Sequence, residues 1–332
     1  MGGIPLSGTP HVLRSGAYEA SISSVGATLR TLTFDGRHLV VPFAADEVRP
    51  AYRGATLAPW PNRVVDGRYE FAGTEYELAL TEPGRGHALH GLAAWLDFEA
   101  IDKGPDHVTV SAVVEAQSGY PWRIRIETRF SLDADGLTQT VRATNESDAA
   151  APYGTGPHPY LVAGAGTVDD WTLELPAADV LHVTPDRLIP TELRAVDADD
   201  PARFDYRIPR TIGDAEIDHA YTGLRRDGDG IATVRVTDAD GSGVAMTWDA
   251  ACGWVQVHTA DLPMTWDAAC GWVQVHTADL PTRGPGHRGG LAVEPMTCAP
   301  DAFHASAYPF DTGLLVVGPG ESVDAGWRIA AI

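Results

Sequence analysis

Five short segments of the sequence carry side chains that could move protons or hold a polar ligand. Asn62-Arg63 follows Leu57-Ala58-Pro59-Trp60-Pro61, and His90-Gly91 closes the loop Gly84-Arg85-Gly86-His87-Ala88-Leu89. His158-Pro159-Tyr160 follows Tyr153-Gly154-Thr155-Gly156-Pro157, Asp218-His219-Ala220-Tyr221 opens a short segment, and Glu294-Pro295-Met296-Thr297 follows the apolar Leu291-Ala292-Val293. Imidazoles and carboxylates are the usual side chains of general acid–base catalysis. Taken singly, each has an ordinary reading: a loop histidine before proline, a strand-end glutamate facing water, a surface or packing arginine. The sequence has no phosphate loop of Walker type and no His-Glu-x-x-His, and no nucleophile elbow supports a Ser/His/Asp triad. Cys252, Cys270 and Cys298 form neither a disulfide framework nor a metal-ligand pattern, so no metal is expected.

The elements that must position these groups alternate with period two. Over residues 122–132, Trp122, Ile124, Ile126, Phe130 and Leu132 share one face, and Arg123, Arg125, Glu127, Arg129 and Ser131 the other, which predicts a half-buried antiparallel strand. Residues 108–114, 137–143, 232–236 and 244–248 read similarly. Turn signals such as Asp135-Gly136 and Asp240-Gly241-Ser242-Gly243 separate them. There is no long amphipathic pattern, and 35 glycines and 24 prolines punctuate the strands. The expectation is an all-β fold, sandwich or barrel, in one domain over residues 1–332. Residues 246–263, MTWDAACGWVQVHTADLP, recur without change at 264–281. A single perfect tandem copy is read as a duplication with no function of its own, since repeat architectures need about three or more drifting units.

A net charge of −21 repels phosphate backbones, so neither nucleic acid nor an anionic membrane is an expected partner. No apolar run approaches the roughly 20 residues of a membrane helix. The first residues lack a basic region followed by an apolar run, so a cytoplasmic location with reduced thiols is expected.

Taken in chain order, the five segments, together with Pro300-Asp301-Ala302-Phe303, resemble the aldose 1-epimerase (galactose mutarotase) family. The resemblance runs from about Gly16-Ala17-Tyr18-Glu19-Ala20 to the C-terminus, and Glu-Pro-Met-Thr and His-Pro-Tyr are its more specific parts. It implies a large antiparallel β-sandwich wrapped around an open sugar-binding cleft and an isomerase that interconverts the α and β anomers of a free aldohexose, such as glucose or galactose, without a cofactor. It further implies Glu294 as general base, His158 as general acid, and Asn62, Arg63, His90, Tyr160 and Asp218 as sugar-holding residues. Two departures, Ala58-Pro59 for the family's frequent Gly-Arg and His90-Gly91-Leu92 for its His-Gly-Gly, bear on sugar preference. A hexose-6-phosphate 1-epimerase or a non-catalytic sugar-binding module of the same fold are the alternatives.

The family also carries a glutamine in Trp-Val-Gln-Val-His-Thr, here Gln256 or Gln274. Either copy is expected to form a hairpin around Ala-Ala-Cys-Gly. The first copy continues Gly243-Val244-Ala245, the return arm of a hairpin from residues 232–236, whereas the second is preceded by Pro263, which cannot extend a ladder upstream. Gln256 is therefore expected to line the cleft, with residues 264–281 looped out and Trp266, Trp272, Val273 and Val275 exposed as an aggregation-prone stretch.

Overall fold

Alternating strands build two large antiparallel sheets in the computed structural model, which describes residues 5–259 and 287–332. Nine strands form the first, in the order Glu99–Lys103, His107–Val114, Ile124–Asp133, Gly136–Asn145, Ser322–Ala331, Gly243–Trp248, Ala232–Thr237, Thr172–Glu174 and Arg210–Thr211. Six form the second: Tyr160–Leu161, Leu291–Met296, Trp254–His258, Asp218–Leu224, Ala177–Val183 and Pro190–Ala195. A four-stranded sheet made from Pro10–Ser15, Tyr18–Ser23, Thr28–Phe34 and Arg37–His38 flanks them. Among the described residues the only α-helix is the single turn Pro201–Phe204, which Asp200 caps through the backbone N–H of Arg203.

The period-two reading gives the right faces. Ile124, Ile126, Phe130 and Leu132 are buried, as are their neighbours Val110, Leu137, Val141 and Ile329, each such side chain contributing about 1.5–3 kcal/mol on burial. Trp122 lies just outside its strand and packs edge-on against Phe71 and Tyr120.

The six-stranded sheet has two unlike faces. Leu161, Val180, Tyr221, Val255, Val257, Leu291 and Val293 enter the main core. The alternate positions carry Leu181, Ala220, Trp254 and Met296 in one small cluster and Tyr160 with Ala292 in another. Between those clusters, on the same face, stand Asp218, Gln256, His258 and Glu294. Their register puts Gln256 opposite Glu294 and Ala220, and His258 opposite Asp218 and Ala292.

The expected hairpin around Ala-Ala-Cys-Gly does not form. Gly243–Trp248 stays in the nine-stranded sheet between Ala232–Thr237 and Ser322–Ala331, while Trp254–His258 belongs to the other sheet. The linking residues cross between sheets because their polar groups are met there. Arg226 donates to the carbonyls of Trp248 and Cys252 at 3.2 and 2.8 Å, and the Cys252 side chain is buried in the core. The second copy, with Gln274 and the stretch expected to loop out, lies outside the described residues.

Candidate active site

The segment bearing His158 is held between two partners. Val293 and Thr297 donate backbone N–H groups to Pro159 and Thr155, but Pro295 between them has none to offer. Gly156–Pro157 pairs instead with Thr56–Leu57, and the N–H of Gly54 meets the carbonyl of His158 at 2.7 Å. Gly54 is required there: at φ +68°, a Cβ would lie 2.0 Å from the carbonyl oxygen of Leu29. The chain then rejoins the sheet at Tyr160–Leu161 opposite Leu291 and Ala292. This path brings His158 Nε2 to 3.3 Å from Glu294 Oε1, with both side chains buried. Glu294 is thus not a strand-end residue facing water. Register places it on the same face of the sheet as Asp218, Gln256 and His258.

Burial governs the titration of this pair. It pushes the Glu294 carboxyl up to about 8 and lowers the His158 imidazole to about 3. Across that range the two groups hold one proton between them. Glu294 Oε2 and Gln256 Oε1 are buried without a hydrogen-bond partner, two unsatisfied polar atoms side by side on paired strands.

Asn62 and His90 form a reciprocal unit. Each has a left-handed backbone, φ +57° and +60°. The N–H of Asn62 donates to His90 Nδ1 at 3.1 Å, and the N–H of His90 donates to the carbonyl of Asn62 at 2.8 Å. Because Nδ1 accepts, the ring proton of neutral His90 sits on Nε2, and burial holds the imidazole well below its usual value. The His90 ring meets His158 edge-on at 5.0 Å, and His158 stacks on Tyr160 at 5.2 Å. Gly91 tolerates no side chain, since at φ +73° a Cβ would stand 2.2 Å from the carbonyl oxygen of Ala58.

Asp218 accepts a 2.6 Å hydrogen bond from Gln256 Nε2. Burial alone would raise its pKa, but His258 and Arg63 hold it below the usual carboxylate range, so it is an anion at neutral pH. Arg63 donates to Glu82 through Nε at 2.8 Å and Nη2 at 3.0 Å, and its Nη1 reaches Asn62 Oδ1 at 3.3 Å.

All eight residues singled out in the sequence therefore come together in one largely buried polar cluster. Three others were missed. Glu82 sits in an ordinary-looking Thr-Glu-Pro-Gly turn, and nothing in the sequence marks it. His258, whose Nδ1 is 3.8 Å from Asp218 Oδ1, could have been found by alternation from Gln256. Asp301 stands in the quoted Pro-Asp-Ala-Phe motif, but its task is visible only in the fold. Its carboxylate accepts from the N–H of Val65 at 2.8 Å, from Tyr308 at 2.5 Å and meets His304 at 2.8 Å, while its own N–H donates to the carbonyl of Arg63.

The family model for aldose 1-epimerase matches residues 11–329. The chain belongs to the aldose 1-epimerase family. It is 33% identical over 301 residues to the uncharacterised protein YihR of Escherichia coli K12, covering 90% of this chain and 87% of that one. The rat galactose mutarotase is 29% identical over 217 residues, which span 60% of this chain and 61% of the rat protein. Among solved structures, a galactose mutarotase-like protein from Clostridium acetobutylicum superposes with a TM-score of 0.79 at 17% identity, covering 99% of this chain and 97% of the other. A galactose 1-epimerase from Lactobacillus acidophilus gives 0.73 at 17%, covering 97% and 94%. These likenesses establish the mutarotase-like fold of this family member. No helix among its described residues is long and apolar enough to cross a membrane.

Proposed function

We propose that this protein is an aldose 1-epimerase that interconverts the α and β anomers of a free aldohexose, with Glu294 and His158 as its proton-transferring pair. The observation that carries the reading is the buried Glu294–His158 pair, 3.3 Å apart, beside a carboxylate acceptor that has no protein partner.

The hydroxyl oxygen and the ring oxygen of a hemiacetal are both bonded to C1, so two adjacent groups can each serve one of them. In the free protein the shared proton sits on Glu294; for Glu294 to act as base and His158 as acid, it must first pass to His158 across the 3.3 Å contact when the cyclic sugar binds. Glu294 takes the C1 hydroxyl proton, the C1–ring-oxygen bond breaks, and His158 protonates the departing ring oxygen. The aldehyde is then accompanied by a neutral carboxylic acid and a neutral imidazole. After rotation about C1–C2, the ring hydroxyl returns its proton to His158 as its oxygen attacks C1, and Glu294 protonates the new C1 hydroxyl on the other face. Both halves of the cycle hold the same single proton on the pair. Burial favours the uncharged distribution, which accompanies the open-chain aldehyde, and so offsets part of the cost of opening the ring. Each group contributes roughly 10²–10⁴-fold in such proton transfers. Asn62, Arg63, His90, Asp218, Gln256 and Tyr160 supply the walls against which the sugar hydroxyls are held.

A phosphorylated hexose is a poorer fit. Arg63 and Arg85 both give hydrogen bonds to the single carboxylate of Glu82, and the anion Asp218 stands in the same cluster. Polarimetry of freshly dissolved α-glucose and α-galactose with purified protein tests the reading. Faster approach to the equilibrium rotation is expected, and a rate equal to the spontaneous one for free aldohexoses would sink it.

A further inference from the structure

The Arg63 guanidinium has five N–H donors in a rigid fork. One edge, Nε and Nη2, is taken by the two oxygens of Glu82 at 2.8 and 3.0 Å, and one Nη1 proton by Asn62 Oδ1. Two N–H groups are left for a ligand. Without Glu82, the guanidinium would keep of these bonds only the single longer one from Nη1 to Asn62 Oδ1 at 3.3 Å, which does not fix its plane as the two-point Glu82 fork does. Glu82 is itself braced: Arg85 Nη1 donates to Glu82 Oε1 at 2.8 Å, and the side chains of Arg63 and Glu82 are only 10% and 13% exposed. Burial works to raise the Glu82 pKa, but the bonds from Arg63 and Arg85 hold it below the usual range, so the acceptor is an anion.

The loop that carries Glu82 does not need its carboxylate to keep its shape. The backbone carbonyl of Glu82 accepts the N–H groups of Arg85, Gly86 and His87, and its N–H donates to the carbonyl of His87. The other side of the loop is anchored by Arg187, whose Nε donates to the carbonyl of Arg85 at 2.8 Å and whose own carbonyl meets His87 Nε2 at 2.8 Å. The carboxylate is therefore spare for folding and committed to the two arginines.

We propose that Glu82 is a positioning residue for sugar binding, holding one edge of the Arg63 fork so that the opposite edge meets substrate hydroxyls. The proposal rests on the epimerase reading for its substrate class. It assigns Glu82 to binding of the sugar ring rather than to the proton transfers of Glu294 and His158, and this makes it separable by kinetics.

The test compares full-length wild type, Glu82→Gln, Glu82→Ala, Arg63→Lys and the Glu82→Gln/Arg63→Lys double variant. It reads kcat and KM by polarimetry and sugar binding by tryptophan fluorescence. Glu82→Gln keeps the shape but loses the anionic fork partner. Its KM is expected to rise about tenfold or more with kcat within about threefold, the size of one lost charge-assisted contact. Arg63→Lys removes the fork itself and should show the same split. The double variant should be little worse than either single one, because both break one unit. The alkaline limb of the pH profile should stay in place. Unchanged KM in both Glu82 variants, a loss confined to kcat, or additive effects in the double variant would each overturn the proposal. Wild-type protein that binds aldohexose without turning it over would defeat the epimerase reading alone, and the dissociation constants of the variants would still decide the role of Glu82. Wild-type protein that neither binds nor turns over an aldohexose would overturn both.

Discussion

At the scale of single residues, the central fact is that a carboxyl and an imidazole are buried together and share one proton. This has a stability consequence as well as a catalytic one. The carboxyl of Glu294 moves from an ordinary 4.5 to about 8 on folding. A raised carboxyl favours the fold fully below the unfolded value, and the contribution is lost as pH rises through the folded one. At pH 7 the unfolded chain carries the anion and the folded chain the acid, so folding must take up a proton. That uptake costs about 1.4 kcal/mol for each pH step by which neutrality lies above the unfolded value. Glutamine has the acid's shape and no such cost. Glu294→Gln should therefore lose about 10²-fold or more in kcat yet melt a few degrees higher at pH 7, a gain of about 1–3 kcal/mol that disappears near pH 4. Calorimetry at the two pH values checks this, and a lower melting temperature at pH 7 would contradict the buried-acid account. His158→Asn should show a comparable loss of kcat. The pH profile follows from the same pair. Above about 8 Glu294 gives up the shared proton while His158 is already neutral, so no acid remains for the ring oxygen; toward 3 both groups are protonated and no base remains. kcat/KM should be level through neutrality and fall on the alkaline side with a midpoint near 8. An acid limb near 6.5 would mean that His158 titrates as if exposed. The pair could be named from sequence only through the resemblance of the five segments, taken in chain order, to the aldose 1-epimerase family; singly, His158 and Glu294 have ordinary readings. Glu82 could not, because its turn has ordinary residues and the arginine it holds is 19 positions away.

At the scale of elements, alternation identified the strands and their faces, since a one-residue slip would expose every apolar side chain. It could not say which sheet a strand joins. The stretch 246–258 reads as one hairpin but is divided between two sheets, because pairing partners come from Asp218–Leu224 and Leu291–Met296 rather than from the adjacent strand. Clips between distant elements were equally hidden. Asp301 ties the short strand Arg63–Val65 to the 3-10 turn Ala302–Ala307, and it does so from a left-handed backbone at φ +59°. Asp301→Ala removes the acceptor for Val65, His304 and Tyr308 and adds backbone strain, whereas Asn tolerates that conformation and keeps one oxygen. The alanine variant should be less stable by about 2–4 kcal/mol and raise KM through the displaced Arg63; the asparagine variant should lie between it and wild type. Denaturant titration with steady-state kinetics checks the order. Equal effects from both substitutions would show that neither strain nor the retained oxygen matters.

At the scale of the whole molecule, the described strands of the two main sheets come from residues on both sides of the repeated segment 264–281. Thr259 and Arg288, described residues on either side of it, bond to one short stretch of chain. The N–H of Thr259 donates to the carbonyl of Ile217 at 3.0 Å, and Thr259 Oγ1 accepts the N–H of Ile217 at 2.9 Å. Arg288 donates to the carbonyls of Gly213 and Ala215 at 2.9 and 3.2 Å. Both ends are therefore tied along residues 213–217. Removing 18 residues leaves about nine between Thr259 and His287, and nine extended residues reach about 30 Å. Shortening the connection threefold changes its closure entropy by only about 1 kcal/mol, in favour of the shorter chain. A chain lacking residues 264–281 should therefore keep its fold and the proposed mutarotase activity. Because the two copies are identical, deletion cannot say which glutamine serves the site, but substitution in the full-length chain can. Gln256 already donates to Asp218 at 2.6 Å from the strand beside Glu294. Gln256→Ala should raise KM by about tenfold, the order expected for a lost hydrogen bond to a charged group, and Gln274→Ala should leave it unchanged. The opposite result would mean that the second copy, not the first, forms the strand between Asp218 and Glu294.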